Sequence, residues 1–523
     1  MLQVQLYDTT LRDGAQQGGI SFSVEDKLKI ARKLDDLGIH FIEGGWPGSN
    51  PKDVEFFNRA QDLNLSQAVI CAFGSTRRPR IKPEQDPNLQ ALIDAKTTVV
   101  TLVGKSWDKH VTHVLETTLE ENLLMIAESI DYLKSKGLIV FFDAEHFFDG
   151  YKDNPDYALQ TLKAADEVGA DCIIPCDTNG GSLPHEVASI IEVVRGEIET
   201  LLGIHTHNDG ELAVANTLMA VRAGAVHVQG TINGYGERCG NANLCSIIPD
   251  LKLKMGVYCL SDENLAKLSE VSHYVSELAN LPPMSRQPYV GISAFAHKGG
   301  IHVSGMTKWD KSYHHIAPEI VGNRSTVLVS ELSGVSNIVY KAKELGIDLP
   351  PKGKETRRIL EHVKVMESRG FQYEEAEASF ELLVRRTQPD YHSPFELVDF
   401  MVIVETGRRS TWKLAEAVIK VKVGEEIIHT ASGGNGPVDA LDKALRKVLL
   451  RFYPDLANVE LVDYKVRILD ESSGTESQVR VLIESSDGEH EWRTVGSSTD
   501  IIEASWLALA DSMEYWLLKK ANP

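Results

Sequence analysis

Long apolar runs and a disulfide framework are both missing from this 523-residue sequence. No run approaches the roughly 20 apolar residues that a membrane-spanning helix needs. The first residues, MLQVQLYDTTLRDG, have no basic segment followed by an apolar one, so no secretory signal is expected. Six scattered cysteines are typical of reduced thiols rather than of a disulfide scaffold. These absences together predict a cytoplasmic protein without a membrane partner.

Basic residues are also in the minority. Lys and Arg number 54 against 75 Asp and Glu, which gives a formal net charge of -21. A surface of this sign repels nucleic acid and anionic membranes, so neither is expected as a partner. A small anionic substrate would need a local cation at its binding site.

A doubly wound open sheet would normally carry a glycine-rich dinucleotide-binding turn after its first strand. That turn is missing here, because DTTLRDGAQQG follows the first predicted strand. The N-terminal half instead alternates short β-branched runs with helical patterns, which is typical of a parallel sheet. Eight such units in about 255 residues predict a closed (β/α)8 TIM barrel, a fold of about 250 residues. The eight strand-like runs are VQLYDTT, IHFIEGGWP, QAVICAFG, TTVVTLVG, LIVFFDAEHF, DCIIPCDTNG, LLGIHTHND and VHVQGTING.

The remainder of the chain has a different pattern. We predict the barrel over residues 1–260, a mostly helical linker over 261–385, and a C-terminal α+β domain over 386–523. AFAHKGGIHVSGMTKWDKSYHHIAPEIVG, within the linker, is expected to form a Gly- and His-rich loop. Residues 429–449 and 493–513 align without gaps, each as a strand, a turn and an amphipathic helix. This pseudo-repeat is typical of a regulatory or assembly module.

Two histidines at the end of the seventh run, His205 and His207, raise the question of a metal site. Residues i and i+2 of a strand point to the same side. Barrel closure makes strands seven, eight and one neighbours, and active sites lie at the carboxyl ends of the strands. Asp13, at the end of strand one, and an amide from the strand-eight loop are therefore expected to join the histidines. Such a mixed set suits Mg, Mn or Zn.

Three motifs in order, DTTLRDGAQ, HTHND and NGYGERCGN, carry a resemblance to a known family. They resemble the metal-dependent barrels of 2-isopropylmalate synthase, homocitrate synthase, citramalate synthase and hydroxymethylglutaryl-CoA lyase. AFAHKGGIHVSG and the C-terminal repeat separate the synthases from the lyases. The whole chain, including GGWPGSNPKD and FDAEHFFDGYKDNP, looks most like the citramalate synthases of the long, isopropylmalate-synthase-like type.

The resemblance implies roles for individual residues. Asp13, His205, His207 and Asn241 match the family's metal ligands. Arg12 matches the arginine that polarises the ketone oxygen, and a guanidinium beside a metal can stabilise an alkoxide. Thr178 matches a hydroxyl that helps to bind the substrate carboxylate, and Glu145 matches the catalytic base. His302 matches a catalytic histidine that the second domain supplies, often from the partner subunit. Tyr313 matches an assisting hydroxyl.

Some positions depart from the family's pattern, among them Val303 and Ser304, where the relatives tend to carry Gln-Asp after the loop histidine. Asp143, two residues before Glu145, places a carboxylate where a pyruvate-specific pocket favours an apolar wall. Cys239 stands where the synthases have a small apolar residue, and we expect it to pack.

The implied reaction is a condensation of acetyl-CoA with pyruvate and water, giving (R)-citramalate and CoA for isoleucine biosynthesis. A divalent metal and acetyl-CoA are the expected cofactor and cosubstrate. A homodimer and an amino-acid effector at the C-terminal domain are expected as well. Synthesis of 2-isopropylmalate or homocitrate is the alternative, since one methyl group in a pocket changes binding by only about 1–3 kcal/mol. A lyase that cleaves hydroxymethylglutaryl-CoA is a further alternative.

Overall fold

The computed structural model describes residues 3–405, 414–469, 474 and 476–521. The chain divides into two compact units. The first comprises Met1–Phe295 and Ile316–Arg324, and the second comprises Ala296–His315 and Ser325–Pro523. The three-domain division at residues 260 and 385 stays a prediction. In the part of the chain that the structure describes, no helix is both long enough and apolar enough to cross a membrane.

Eight parallel strands of the first unit form a closed barrel. Closure comes from β1 and β8, where Gln5 pairs with His227 and Asp8 pairs with Gly230. The strands are β1 Gln5–Asp8, β2 Phe41–Gly45, β3 Val69–Ser75, β4 Val99–Lys105, β5 Ile139–Glu145, β6 Cys172–Asp177, β7 Gly203–Thr206 and β8 His227–Gly230. The predicted barrel is confirmed.

Helices surround the barrel and extend beyond it. They are α1 Val24–Leu37, α2 Pro51–Ala60, α3 Pro87–Asp94, α4 Asp108–His113, α5 Leu119–Ser135, α6 Phe147–Asp153, α7 Pro155–Glu167, α8 Pro184–Glu197, α9 Ala213–Ala223, α10 Leu244–Pro249, α11 Asp262–Leu265 and α12 Leu268–Leu278. Local sequence sets their ends. In α1, Ser23 and Asp26 form a capping box, and Gly38 ends the helix in the left-handed region at φ 98°.

The barrel interior is filled with side chains. Tyr7, Phe41, Phe141 and His227 pack with ring centroids 5.1 to 6.3 Å apart. Burial lowers the pKa of His227 to about 3, so it packs as a neutral ring. The interior around these rings is therefore a packed core.

The second unit contains a short two-stranded sheet and four helices before the repeat. These elements are β9 Ala296–His297, α13 Gly300–Lys308, β10 Thr326–Val327, α14 Val335–Glu344, α15 Lys354–Ser368 and α16 Glu377–Arg385. The loop predicted around His302 is wrong, because α13 spans that segment. Val303 is fully buried and anchors this helix, so tertiary packing outweighs the glycines that suggested a loop.

The C-terminal repeat is confirmed, and each copy is larger than the sequence indicated. One copy consists of β11 Glu396–Glu405, β12 Leu414–Val423, β13 Glu426–Gly434 and α17 Pro437–Leu449. The other consists of β14 Glu460–Ile468, β15 Val479–Ser486, β16 Glu491–Ser498 and α18 Ile501–Ala521. Each sheet is antiparallel and packs its helix through buried residues such as Ala440 and Ala504.

A pair of glutamates makes the second unit sensitive to pH. The backbone N–H of Glu331 donates to Glu367 Oε2 at 2.6 Å. Burial, and then the hydrogen bond between the two carboxyl groups, raises the pKa of Glu367 to about 7. The same hydrogen bond lowers the pKa of Glu331, but the shift of Glu367 is the larger of the two. The folded state therefore binds more protons than the unfolded state, and stability decreases as the pH rises from about 4.5 to 7.

We expect Glu331→Gln to remove this pH-dependent loss of stability. The glutamine amide can donate a hydrogen bond to the Glu367 carboxylate, so the two side chains no longer need to share a proton. After allowance for solvent screening, the gain is about 1 kcal/mol at pH 8 and near zero at pH 4.5. Thermal unfolding at both pH values measures it. Glu361→Gln, an exposed change on α15, is the control. Equal gains at both pH values would contradict the shared proton.

Candidate functional site

The loop after β1 presents an arginine that is fixed on three sides. Arg12 Nε donates to Glu43 Oε2 at 2.5 Å, and its NH1 lies 3.6 Å from Asp13 Oδ2. The guanidinium also stacks 3.9 Å above the ring of Phe73. Glu43 is fully buried and accepts a second hydrogen bond, from the hydroxyl of Tyr7 at 2.7 Å. The guanidinium is thereby held toward the barrel axis.

Asp13, His205 and His207 converge, as predicted, at the carboxyl ends of β1 and β7. Asp13 Oδ2 lies 3.6 Å from His205 Nε2 and 3.8 Å from His207 Nε2. The two Nε2 atoms are 3.2 Å apart. All three side chains are buried, and one possible ligand atom of each lies within 4.8 Å of the others. This spacing suits three ligands of one metal ion.

Burial and charge keep the three side chains in the protonation states that a metal requires. Burial, and then the neighbouring His207, lowers the pKa of His205 to about 3, and burial also lowers the pKa of His207. Burial alone would raise the pKa of Asp13, but the charge of Arg12 lowers it below its ordinary value. Two neutral imidazoles and a carboxylate result, which is a usual donor set for a divalent metal.

Asn241 lies beside this cluster. It forms a β-bridge with His207, and its Nδ2 donates to the Tyr235 carbonyl at 3.1 Å. Its buried Oδ1 has no hydrogen-bond partner among the described residues. Gly236 is required here, because a Cβ at that position would lie 2.2 Å from Asn241 Nδ2. An unpartnered buried oxygen next to the triad fits a fourth ligand atom.

A cavity of about 470 Å³ opens above the triad. The predicted residues that line it are Arg12, Asp13, Glu145, Thr178, His205 and His207. Glu145 ends β5, and its carboxylate pairs with Lys105 of β4. Thr178 Oγ1 accepts a hydrogen bond from the backbone N–H of His146 at 2.8 Å, so its own hydrogen remains available to donate.

His302 and Tyr313 belong to the second unit. Their rings stack with centroids 4.2 Å apart and an interplanar angle of 20°. Both side chains are exposed. The structure thus brings these two residues together as a pair.

Comparison with known proteins identifies the family. Residues 3–275 match the HMGL-like family, 289–370 match the homocitrate synthase post-HMGL domain-like family, and 374–517 match the LeuA allosteric (dimerisation) domain. The chain is 58% identical to the (R)-citramalate synthase of Geobacter sulfurreducens, with 99% of this chain and 98% of the relative covered. The chain belongs to the (R)-citramalate synthase family. The (R)-citramalate synthases of Aquifex aeolicus and Synechocystis sp. are 54% and 52% identical, with at least 96% of each chain covered.

Membership in the (R)-citramalate synthase family confirms the expectation of an acyl-transferring condensing enzyme. It also favours a synthase over the lyase alternative, because the two matches after residue 289 are to synthase domains. Family membership does not by itself assign a role to any individual residue of this chain.

Sequence reasoning missed Gln229, although it lies two residues after His227 on the inward face of β8. Its Oε1 lies 3.0 Å from His205 Nδ1, and its Nε2 donates to Asp143 Oδ1 at 2.9 Å. An amide oxygen only accepts, so Nδ1 of His205 carries the hydrogen and Nε2 keeps its lone pair for a metal. Asp143 therefore contacts an orienting glutamine as well as lining the cavity.

We expect Gln229→Leu to weaken Mn²⁺ binding by about 10- to 100-fold, because His205 loses the group that orients its ring. Isothermal titration of the chelator-treated protein with Mn²⁺ measures this affinity without any turnover. Gln90→Leu, an exposed change on α3, is the control. Unchanged Mn²⁺ affinity in a folded Gln229→Leu variant would exclude the orienting role.

The expectation that Cys239 packs is wrong. The side chain is exposed, because the Gly240 N–H donates to the Glu237 carbonyl at 2.9 Å and places Cys239 at the outer corner of this turn. Lys105 was also missed. Glu43 is placed at the active-site end of the second strand by the sequence, but its pairing with Arg12 is not.

Proposed function

We propose that the chain condenses acetyl-CoA with pyruvate and water to give (R)-citramalate and CoA. The observation that carries the proposal is the position of Arg12, a fixed cation beside three buried metal-ligand side chains, in a protein of this family. A 2-oxo acid that enters the cavity meets a positive site in an otherwise acidic protein.

Asp13, His205, His207 and Asn241 would hold a divalent metal, and their donor types fit Mg, Mn or Zn. The metal would supply Lewis-acid polarisation of the keto group. Arg12 would stabilise the negative charge that develops on the ketone oxygen during carbon–carbon bond formation.

Proton transfer is assigned to Glu145 and His302. Glu145 removes a proton from the methyl group of acetyl-CoA, and the resulting enolate carbon attacks the keto carbon of pyruvate. His302, with Tyr313 stacked on it, returns a proton to the alkoxide oxygen that this attack forms. Thr178 donates to the substrate carboxylate. Water then hydrolyses the thioester and releases CoA.

The remaining expectations extend this proposal. The LeuA-type domain supports a homodimer and a site for an amino-acid effector. Isoleucine biosynthesis, through 2-oxobutanoate, is the pathway that the product would supply. The six unpaired cysteines support a cytoplasmic location. The chain would comprise the three predicted domains, 1–260, 261–385 and 386–523.

Thiol release from acetyl-CoA tests the proposal, with pyruvate, 2-oxobutanoate, 2-oxoisovalerate and 2-oxoglutarate compared at equal concentration. We expect pyruvate to exceed each of the others by at least about tenfold in kcat/KM, and release to stop with chelator and return with Mg²⁺ or Mn²⁺. A preference for 2-oxoisovalerate or 2-oxoglutarate would replace citramalate by 2-isopropylmalate or homocitrate. No release with any acid would contradict the condensation itself.

A further inference from the structure

The cavity extends well beyond the metal cluster. Its lining also includes Arg77, Arg78 and Pro79 from the β3–α3 loop and Leu115 and Met125 from the β4–β5 connection. In a closed barrel of eight strands, β3 lies opposite β7, which carries the two histidines. A volume of about 470 Å³ is in the range of pockets for ligands much larger than a three-carbon acid. The side near β3 is therefore available for the thioester.

Two arginines of the β3–α3 loop line the cavity, Arg77 and Arg78, and the loop is anchored so that only the first of them forms an ion pair among the described residues. Arg77 is buried and pairs with Glu121 at 2.8 Å and with Glu128 at 2.7 Å. The backbone N–H of Arg78 donates to Asp86 Oδ2 at 2.9 Å, which fixes the backbone of that residue. The Arg78 guanidinium is exposed and forms no ion pair within the described residues.

Two carboxylates of the cavity lining lie beside other cations. Glu145 pairs with Lys105, and Glu237 lies 4.0 Å from Arg238. An unpaired guanidinium at the cavity wall of a protein with net charge -21 is thus placed to receive an anion from solution.

We propose that Arg78 binds the phosphate groups of the coenzyme A thioester while the acetyl group lies toward Arg12 and Glu145. This inference rests on the proposed function, because that function supplies the phosphate-bearing substrate. A guanidinium presents parallel N–H donors that match two phosphate oxygens.

Arg78→Gln tests the inference in the full-length protein. We expect the KM for acetyl-CoA to rise about tenfold or more, with kcat and the KM for pyruvate unchanged, because a charge-assisted hydrogen bond is lost far from the reacting atoms. With S-acetylpantetheine, which has no phosphate, wild type and variant should have the same KM. Arg222→Gln, in the last turn of α9 at the opposite end of the barrel, is the matched control.

Direct titration with CoA separates this inference from the condensation. Weaker CoA binding by Arg78→Gln supports it even if pyruvate is not the substrate, whereas equal CoA affinity in both proteins overturns it. Dephospho-CoA, which lacks the 3′-phosphate, identifies the contact. If wild type and Arg78→Gln bind this ligand with equal affinity, Arg78 contacts the 3′-phosphate. If the variant still binds it more weakly, Arg78 contacts the diphosphate. A tenfold rise in KM that is also seen with S-acetylpantetheine would likewise overturn the phosphate contact.

Discussion

Asp13→Asn is expected to reduce kcat/KM for citramalate formation roughly a thousandfold or more, because a metal ion contributes several kcal/mol to such a reaction. The Asp13 carboxylate lies within 3.8 Å of both His205 and His207 and carries the charge of the cluster. An amide of nearly the same shape keeps the packing but removes that charge. Mn²⁺ titration and thiol release measure the two consequences separately.

The fold of Asp13→Asn should survive, because the change is nearly isosteric. Circular dichroism and thermal unfolding of both proteins in chelator check this point. Asp36→Asn, an exposed change on α1, should retain metal affinity and turnover. An Asp13→Asn enzyme with unchanged Mn²⁺ affinity would remove this residue from the ligand set.

Arg12→Lys is expected to lower kcat by about 10²- to 10³-fold, as removal of an oxyanion-stabilising donor does. The ammonium keeps the charge next to Glu43 but lacks the planar fork that reaches Glu43 while it stacks on Phe73. Lysine is preferable to alanine here, because alanine would leave the fully buried Glu43 carboxylate unpaired and destabilise the barrel by about 3–5 kcal/mol.

Steady-state kinetics and Mn²⁺ titration together give the result for Arg12→Lys. Mn²⁺ affinity should change by less than about threefold, since a cation remains beside Asp13. Arg195→Lys, an exposed change on α8, should leave both quantities unchanged. A kcat within twofold of wild type would show that Arg12 serves only to pair with Glu43.

The sequence by itself determined the barrel, the convergence of Asp13, His205 and His207, and the C-terminal repeat. Each of these has a local signature: alternating strand and helix periodicity, an H-x-H at the end of an apolar run, and two copies of a strand, turn and helix. The neighbourhood of Asp13 with His205 and His207 also followed from the sequence, since closure of eight parallel strands places strand one beside strand eight.

Only the tertiary structure decided which partners these residues have. Gln229 and Glu43 look like ordinary polar strand residues until the closed barrel places them on His205 and Arg12. The α13 helix shows the same limit, because burial of Val303 against distant residues outweighs a glycine-rich local sequence. Periodicity is a property of neighbouring residues along the chain, whereas burial and charge pairing depend on residues far apart in the sequence.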